Sequence, residues 1–216
     1  MVLQDRAKAT REAIIVGAAA VFEEHGYGGA SLTQVSDAAK VTKGALYFHF
    51  QSKEELAKTV IEEQHRIVVA ESASLVAEDR PALPTMILLC RVFGLKLVHE
   101  PVVRAGIRLT LEATAFGQPV QGPYEDWIAV MEQLIDRAKR EKQVRSSVGS
   151  EAFARYLVAS FTGVQMVSGV LTGRGDVMQR IEEMWALLLP GIMHEDFHED
   201  PQVLSGLVSA ESPGQR

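Results

Sequence analysis

Between Arg6 and His25 the apolar residues Ile14, Ile15, Ala18, Val21 and Phe22 recur with helical spacing, so this stretch predicts an amphipathic helix. His25-Gly26-Tyr27-Gly28-Gly29 ends it, because glycine is favoured just past a helix C-terminus. Ser31-x-x-Gln34 has the spacing of a capping box and opens a second, short helix reaching about Lys40. Thr42 then caps a third short helix that ends near Phe50, and Ser52-x-x-Glu55 is a second capping box. From there a long helix runs through Leu56, Val60, Ile61, Gln64, Ile67 and Val68. Pro81, Pro84, Pro101, Pro119 and Pro123 punctuate the middle of the chain, each a candidate first-turn residue of a new helix. Tyr124, Trp127, Ile128, Met131, Leu134, Ile135 and Ala138 mark the clearest amphipathic helix, from Tyr124 to Lys142. Two more long helices, 150–172 and 176–189, are flanked by Gly149 and Gly173-x-Gly175 and stopped by Pro190-Gly191.

No period-2 strand, internal repeat or low-complexity tract interrupts this pattern. The expectation is an all-α protein of about nine helices. Residues 1–52 form a three-helix unit with a helix-turn-helix, 53–200 form a larger helical body, and 201–216 form a flexible tail. The chain is 47% hydrophobic, enough for a real core, and poor in aromatics at 6%. Its one cysteine, Cys90, excludes an intrachain disulfide and reads as a small buried hydrophobe. Charged residues interrupt the N-terminus, and no run matches the roughly 18 apolar residues of a membrane span, so a soluble, cytoplasmic protein is expected. The net charge of −6 is unevenly spread: residues 1–53 carry +1 and the remainder −7. Only the N-terminal quarter can approach a polyanion without strong repulsion.

Two short helices joined by a tight turn, behind a packing helix, make a helix-turn-helix whose second helix enters the DNA major groove N-terminus first. At about 100° per residue, Lys43, Gly44 and Tyr47 share one arc of the third helix, while Leu46 and Phe50, with Val41 and Phe48, turn towards the core. Lys43 can donate to guanine O6 and N7. Gly44 permits close approach, and Ala45 can meet a thymine methyl. Tyr47 and His49 can donate to phosphates, and Thr42 at the helix start offers free N–H groups nearby. Ser31, Thr33 and Lys53 are further candidate phosphate contacts.

Thr33-Gln34-Val35, Ala38-Ala39, Val41 to Phe50 and Lys53-Glu54-Glu55-Leu56 resemble the DNA-binding domain of tetracycline-repressor (TetR) type regulators over about residues 8–56. One departure is Lys40, where that family usually has glycine; a left-handed backbone there costs Lys on the order of 1 kcal/mol. The resemblance implies an all-α homodimer that represses transcription at a palindromic operator until a small molecule binds its C-terminal domain. Pro101-Val102-Val103-Arg104-Ala105-Gly106-Ile107-Arg108-Leu109 and Pro123-Tyr124-x-x-Trp127 resemble, more narrowly, the γ-butyrolactone autoregulator receptors of streptomycetes, which control antibiotic production and differentiation. A relative that senses antibiotics or other hydrophobic molecules is the alternative within the class.

The subgroup's pocket tryptophan matches Trp127, although an amphipathic stripe also makes it a core candidate. Gln64, Thr162 and Gln165 are polar residues on apolar faces, able to bond a lactone or hydroxyl or to satisfy a neighbouring helix. Leu88, Val92, Ile107 and Phe161 are candidate apolar walls. By family analogy the last two long helices form the dimer interface, with Leu157, Gly163, Val164, Val167, Trp185 and Leu188; intramolecular core is the alternative for Trp185. His194-Glu195-Asp196-Phe197-His198 spells H-E-x-x-H, the zinc-hydrolase pattern. It lies beyond Pro190-Gly191 in an acidic tail without a buried helical scaffold, so no metal, cofactor or catalytic residue is assigned. A small-molecule carrier is the remaining alternative from another class.

Overall fold

The structure is a computed structural model that describes residues 2–115, 117 and 119–210, with side chains from residue 4 onward. Ten α-helices fill the described residues, one more than the pattern predicts. They are α1 (Val2–Gly29), α2 (Leu32–Ala38), α3 (Lys43–His49), α4 (Lys53–Ala77), α5 (Ala82–His99), α6 (Pro101–Glu112), α7 (Gly122–Arg140), α8 (Ser150–Thr172), α9 (Val177–Ile192) and α10 (Pro201–Gly206). A single 3-10 turn, Ala113–Ala115, follows α6. There is no strand among the described residues beyond an isolated bridge between Val144 and Met193.

The chain divides into two compact units. One comprises the N-terminal segment through Val69 together with His99–Val120, and the other comprises Ala70–Val98 and the chain from Gln121 onward. The expected boundary at residue 52 falls inside the first unit, because the core of the three small helices does not stop there. Ile14, Ala18, Phe22, Val35, Leu46 and Phe50 share one buried cluster with Leu56, Val60 and Ile61 of α4 and with Val102, Ala105 and Leu109 of α6. At Gly106 the approach of α6 to α4 is closest: a Cβ there would lie 2.3 Å from the Gln64 Cβ, so only glycine fits.

In the second unit α7 and α8 pack antiparallel, with Asp136 hydrogen-bonded to Ser150 near their connection. The first N–H groups of α5, which its own helix cannot satisfy, are taken by side chains from beyond α7. Ala82 donates to Glu141 (2.8 Å) and Leu83 to the buried Gln143 (2.7 Å). Between α8 and α9, Gly173 takes the left-handed cap expected of it (φ 60°). Hydrogen bonds from the Ser168 and Thr172 hydroxyls, then the Arg180 guanidinium, hold the Asp176 carboxyl down at about 2. Cys90 is fully buried, and burial pushes its thiol up to about 12, partly offset by the Trp185 indole.

Three expectations need correction. The 201–216 segment is not simply a tail: α10 caps its start with Asp200 (Gln202 N–H, 2.8 Å) and buries Leu204, and the turn after it buries Val208. An apolar pattern this short gives no periodic signal; residues 211–216 lie outside the described residues. Helix α9 runs two residues past Pro190, and Arg145 takes the carbonyls of Pro190 (2.7 Å) and Met193 (2.8 Å) at its C-terminal end. Finally α5, with 18 residues and a mean hydropathy of 1.5, is long and apolar enough to cross a membrane by those two measures; half of it is buried inside the protein.

Lys40 adopts φ 56°, the left-handed backbone that favours glycine. Lys40→Gly is therefore expected to stabilise the protein by about 1 kcal/mol, less the extra chain entropy of glycine. Urea denaturation checks this; a loss of about 1 kcal/mol would mean that the Lys40 side chain holds the turn.

Candidate DNA-reading surface and effector site

The reader begins with the capping box at Ser31. Its Oγ accepts the Gln34 N–H at 3.3 Å while Gln34 Oε1 accepts the Ser31 N–H at 2.9 Å. The turn out of α2 is closed by Lys40 N–H to Asp37 (3.1 Å) and Val41 N–H to Ser36 (3.0 Å). Thr42 then caps α3, its Oγ1 accepting the Ala45 N–H at 3.1 Å. Leu46 and Phe50 anchor the helix at 1% exposure each. Opposite them Lys43, Gly44 and Tyr47 are exposed, with Ala45 and His49 half-buried beside them. Thr33, Ser31 and Thr42 are also exposed, so eight of the nine expected reader positions form an accessible rim around α3.

Lys53 is the exception. Its ammonium donates to the Tyr27 carbonyl (2.8 Å) and the Ala30 carbonyl (3.0 Å), and it lies 4.4 Å from the centre of the Tyr27 ring. It ties the start of α4 to the end of α1, a structural task that engages the ammonium expected to meet a phosphate. Phe48 is a correction: at 76% exposure it is not core, and its ring instead meets His49 edge-on at 5.1 Å.

Behind the reader, Gly26 breaks α1 with φ 67° and ψ 178°. Glu112 of α6 takes the Tyr27 N–H at 2.7 Å, and Arg108 donates to the Glu23 carbonyl at 2.6 Å. Arg108 and Glu112 are themselves paired at 2.9 Å, and Arg104 pairs with Glu23. A Cβ on residue 26 would lie 2.6 Å from the Arg108 guanidinium, so a side chain there would strain the backbone and push the Arg108 and Glu112 side chains aside. Helix α6 thus plugs the broken end of α1. The pattern Arg104, Arg108, Glu112 at i, i+4, i+8 was the available signal for this role.

In the second unit an aromatic cluster joins three helices. Phe93 of α5 meets Trp127 of α7 edge-on at 5.5 Å and Phe161 of α8 at 5.1 Å. Tyr124 bonds Thr162, and burial pushes its phenol up. Thr162 also donates to Val158 (2.8 Å). Two buried polar atoms here have no hydrogen-bond partner among the described residues: Trp127 Nε1 and Gln165 Oε1. Leu88 and Val92 lie half-buried on α5 alongside Phe93. Gln64 and Ile107 belong to the first unit, Gln64 buried on α4 against Gly106 and Ile107 half-buried on α6. Sequence reasoning misses Phe93, since an aromatic in a continuous apolar run carries no distinguishing signal.

A third surface lies on α8 and α9. Tyr156, Gly163, Val167 and Val170 form an exposed stripe, and Val164, Met184, Leu187 and Leu188 help to line a groove of about 450 Å³. Gly163, Val164, Val167 and Leu188 are therefore available to a partner. Leu157 and Trp185 are not: both are fully buried in their own chain. Trp185 follows the intramolecular-core alternative, and Leu187, 83% exposed, stands on the outer face of α9 instead. The H-E-x-x-H pentad lies outside any helix. His194 donates its N–H to Gln143 (2.9 Å) and accepts the Asp196 N–H at Nδ1 (3.1 Å). No group of three metal-binding side chains occurs among the described residues.

Residues 14–60 match the family model described as bacterial regulatory proteins, tetR family, and 82–194 match that of the tetracyclin repressor-like C-terminal domain. The A-factor receptor protein of Streptomyces griseus is 36% identical over 194 residues, 90% of this chain and 67% of that protein. A crystal structure of a gamma-butyrolactone receptor (ArpA like protein) superimposes with a TM-score of 0.81 at 30% identity, covering 94% of this chain and 98% of that one. The TetR family protein CprB from Streptomyces coelicolor, in complex with its biological operator sequence, gives 0.79 at 31% identity, covering 93% and 96%.

The hydrogen bonds of Lys53 generate a prediction. Lys53→Met should lower stability by about 1.5–3 kcal/mol, the contribution of hydrogen bonds to a charged group, while leaving the slope of log affinity for DNA against log salt unchanged. A shallower slope in that variant, measured by fluorescence anisotropy, would restore Lys53 as a phosphate contact.

Proposed function

The chain belongs to the tetR family of bacterial regulatory proteins, and from that premise we propose that it is a homodimeric repressor released from a palindromic operator by a small lactone-type signalling molecule. It acts in the cytoplasm, on genes of antibiotic production or differentiation. The relatives are regulators, and no catalysis is assigned to the chain.

The observation that carries the reading is the division of labour within VTKGALYFHF. Leu46 and Phe50 are fixed in the core while Lys43, Gly44 and Tyr47 stand exposed on one face of a helix with a capped start. Lys43 reads guanine, Gly44 and Ala45 allow close approach, and Tyr47, His49, Thr42, Ser31 and Thr33 take phosphates. The apolar face of α8 and α9 pairs with its copy in the partner. Two readers then face half-sites about one helical turn apart, roughly 34 Å.

The effector site is the aromatic cluster of the second unit. Trp127 lies there with an unpaired N–H suited to a carbonyl oxygen, as the names of the γ-butyrolactone receptors would suggest for a lactone. A ligand can release DNA only through a difference in affinity between two reader arrangements. Helix α4 starts in the reader's unit and ends in the cluster's unit, and α6 holds the end of α1. Helix α4 is thus the continuous stretch of chain between operator reader and effector cluster.

The test is a gel shift on the promoter region of the protein's own gene, with γ-butyrolactones and hydrophobic antibiotics titrated in. Lys43→Ala and Tyr47→Ala should each weaken operator binding on the order of tenfold with an intact helical circular-dichroism spectrum, the loss of one base or phosphate contact. Trp127→Ala should retain operator binding and lose release by lactone. Undiminished binding by Lys43→Ala would remove the reader assignment, and release of wild type by antibiotics alone would replace the lactone.

A further inference from the structure

We propose that Gln165 determines which effector is accepted, its side-chain carbonyl taking a hydrogen bond from a free hydroxyl of the bound molecule. This rests on the effector site proposed above and adds a requirement to it: an apolar lactone with a hydroxyl donor as well as the lactone carbonyl.

Gln165 is 2% exposed, and its Oε1 has no partner among the described residues. Buried amide groups are bonded in the great majority of cases, so an orphan of this kind signals a missing partner. Its position says which partner. Gln165 stands one helical turn beyond Phe161 on the same face of α8. The Phe161 ring meets Phe93 at 5.1 Å, and Phe93 in turn holds Trp127. The Trp127 N–H is the second unpaired polar atom of the cluster. One orphan is a donor and the other an acceptor, matching the carbonyl and the hydroxyl of a hydroxylated lactone. The neighbouring polar residue does not compete for this role, because the Thr162 hydroxyl already donates to Val158 and is bonded to Tyr124.

A residue of this kind discriminates by about one hydrogen bond. A site built to bond a hydroxyl leaves its own buried group unpaired when the hydroxyl is absent. It also carries a stability signature: replacing an unpaired buried amide with an apolar chain of similar length should not destabilise the ligand-free fold.

The experiment uses a γ-butyrolactone with a hydroxyalkyl side chain and its O-methyl ether, which keeps the carbonyl and shape but lacks the donor. Affinities for the full-length dimer are read by tryptophan fluorescence and calorimetry. Wild type should prefer the alcohol on the order of tenfold, about the value of one hydrogen bond. Gln165→Met should lose that preference by weakening for the alcohol alone, with a ligand-free melting temperature equal to or above wild type. A preference that survives in Gln165→Met, or none in wild type, overturns the assignment. So does a fall in melting temperature with equal weakening for both compounds, which marks a structural residue. If neither compound binds wild type, the lactone reading itself fails and this inference with it.

Discussion

The reader of this protein is only as well placed as the end of α1, and α1 is broken at Gly26. A helix that stops in mid-protein leaves N–H and C=O groups that must be satisfied from elsewhere. Here Glu112 and Arg108, four residues apart on α6, supply one acceptor and one donor to the break, and Lys53 takes two further carbonyls. Because Val102, Ala105 and Leu109 of the same helix also share the buried cluster of α1 to α4, α6 cannot shift without disturbing the seat of α3. Packed cores are poorly compressible, so such a displacement is passed on and not absorbed.

The opposite situation prevails in the aromatic cluster of the second unit. There the polar atoms that matter, on Trp127 and Gln165, are left without partners. An unpaired buried group costs on the order of 1–3 kcal/mol, and a ligand that pairs it gains that amount on binding. The two regions thus hold polar groups in two states: satisfied around the end of α1, and unsatisfied in the aromatic cluster, where the effector proposed above would pair them.

Much of this is legible in the sequence where the physics is local. The Ser31 capping box, the Thr42 cap and the Leu46/Phe50 anchoring rest on spacings of three and four residues and are found as expected. At Ser52 the hydroxyl takes the Glu55 N–H, but the Glu55 carboxylate accepts from the Gln51 N–H instead of the Ser52 N–H. Lys40 reads as a left-handed position because it stands where a turn calls for glycine, and its φ is 56°. The features that escape depend on contacts between distant residues. Lys53 reaches a carbonyl 26 positions away, and nothing near it in the chain says so. Trp185 and Leu187, about 200° apart, lie on nearly opposite faces of α9, and only tertiary packing decides that the tryptophan goes inwards and the leucine outwards. Phe48 has a core-like aromatic pattern yet points to solvent, since a seven-residue helix has room for one buried face.

The most direct test of the seat of α3 is to remove the plug. In the double variant Arg108→Leu with Glu112→Leu, the Arg104–Glu23 pair is kept, while the Tyr27 N–H and the Glu23 carbonyl lose their partners. Operator affinity should fall on the order of tenfold, about the value of one hydrogen bond to a charged group, with the helical circular-dichroism spectrum intact. A double variant that binds operator with wild-type affinity would contradict a reader held in place by α6.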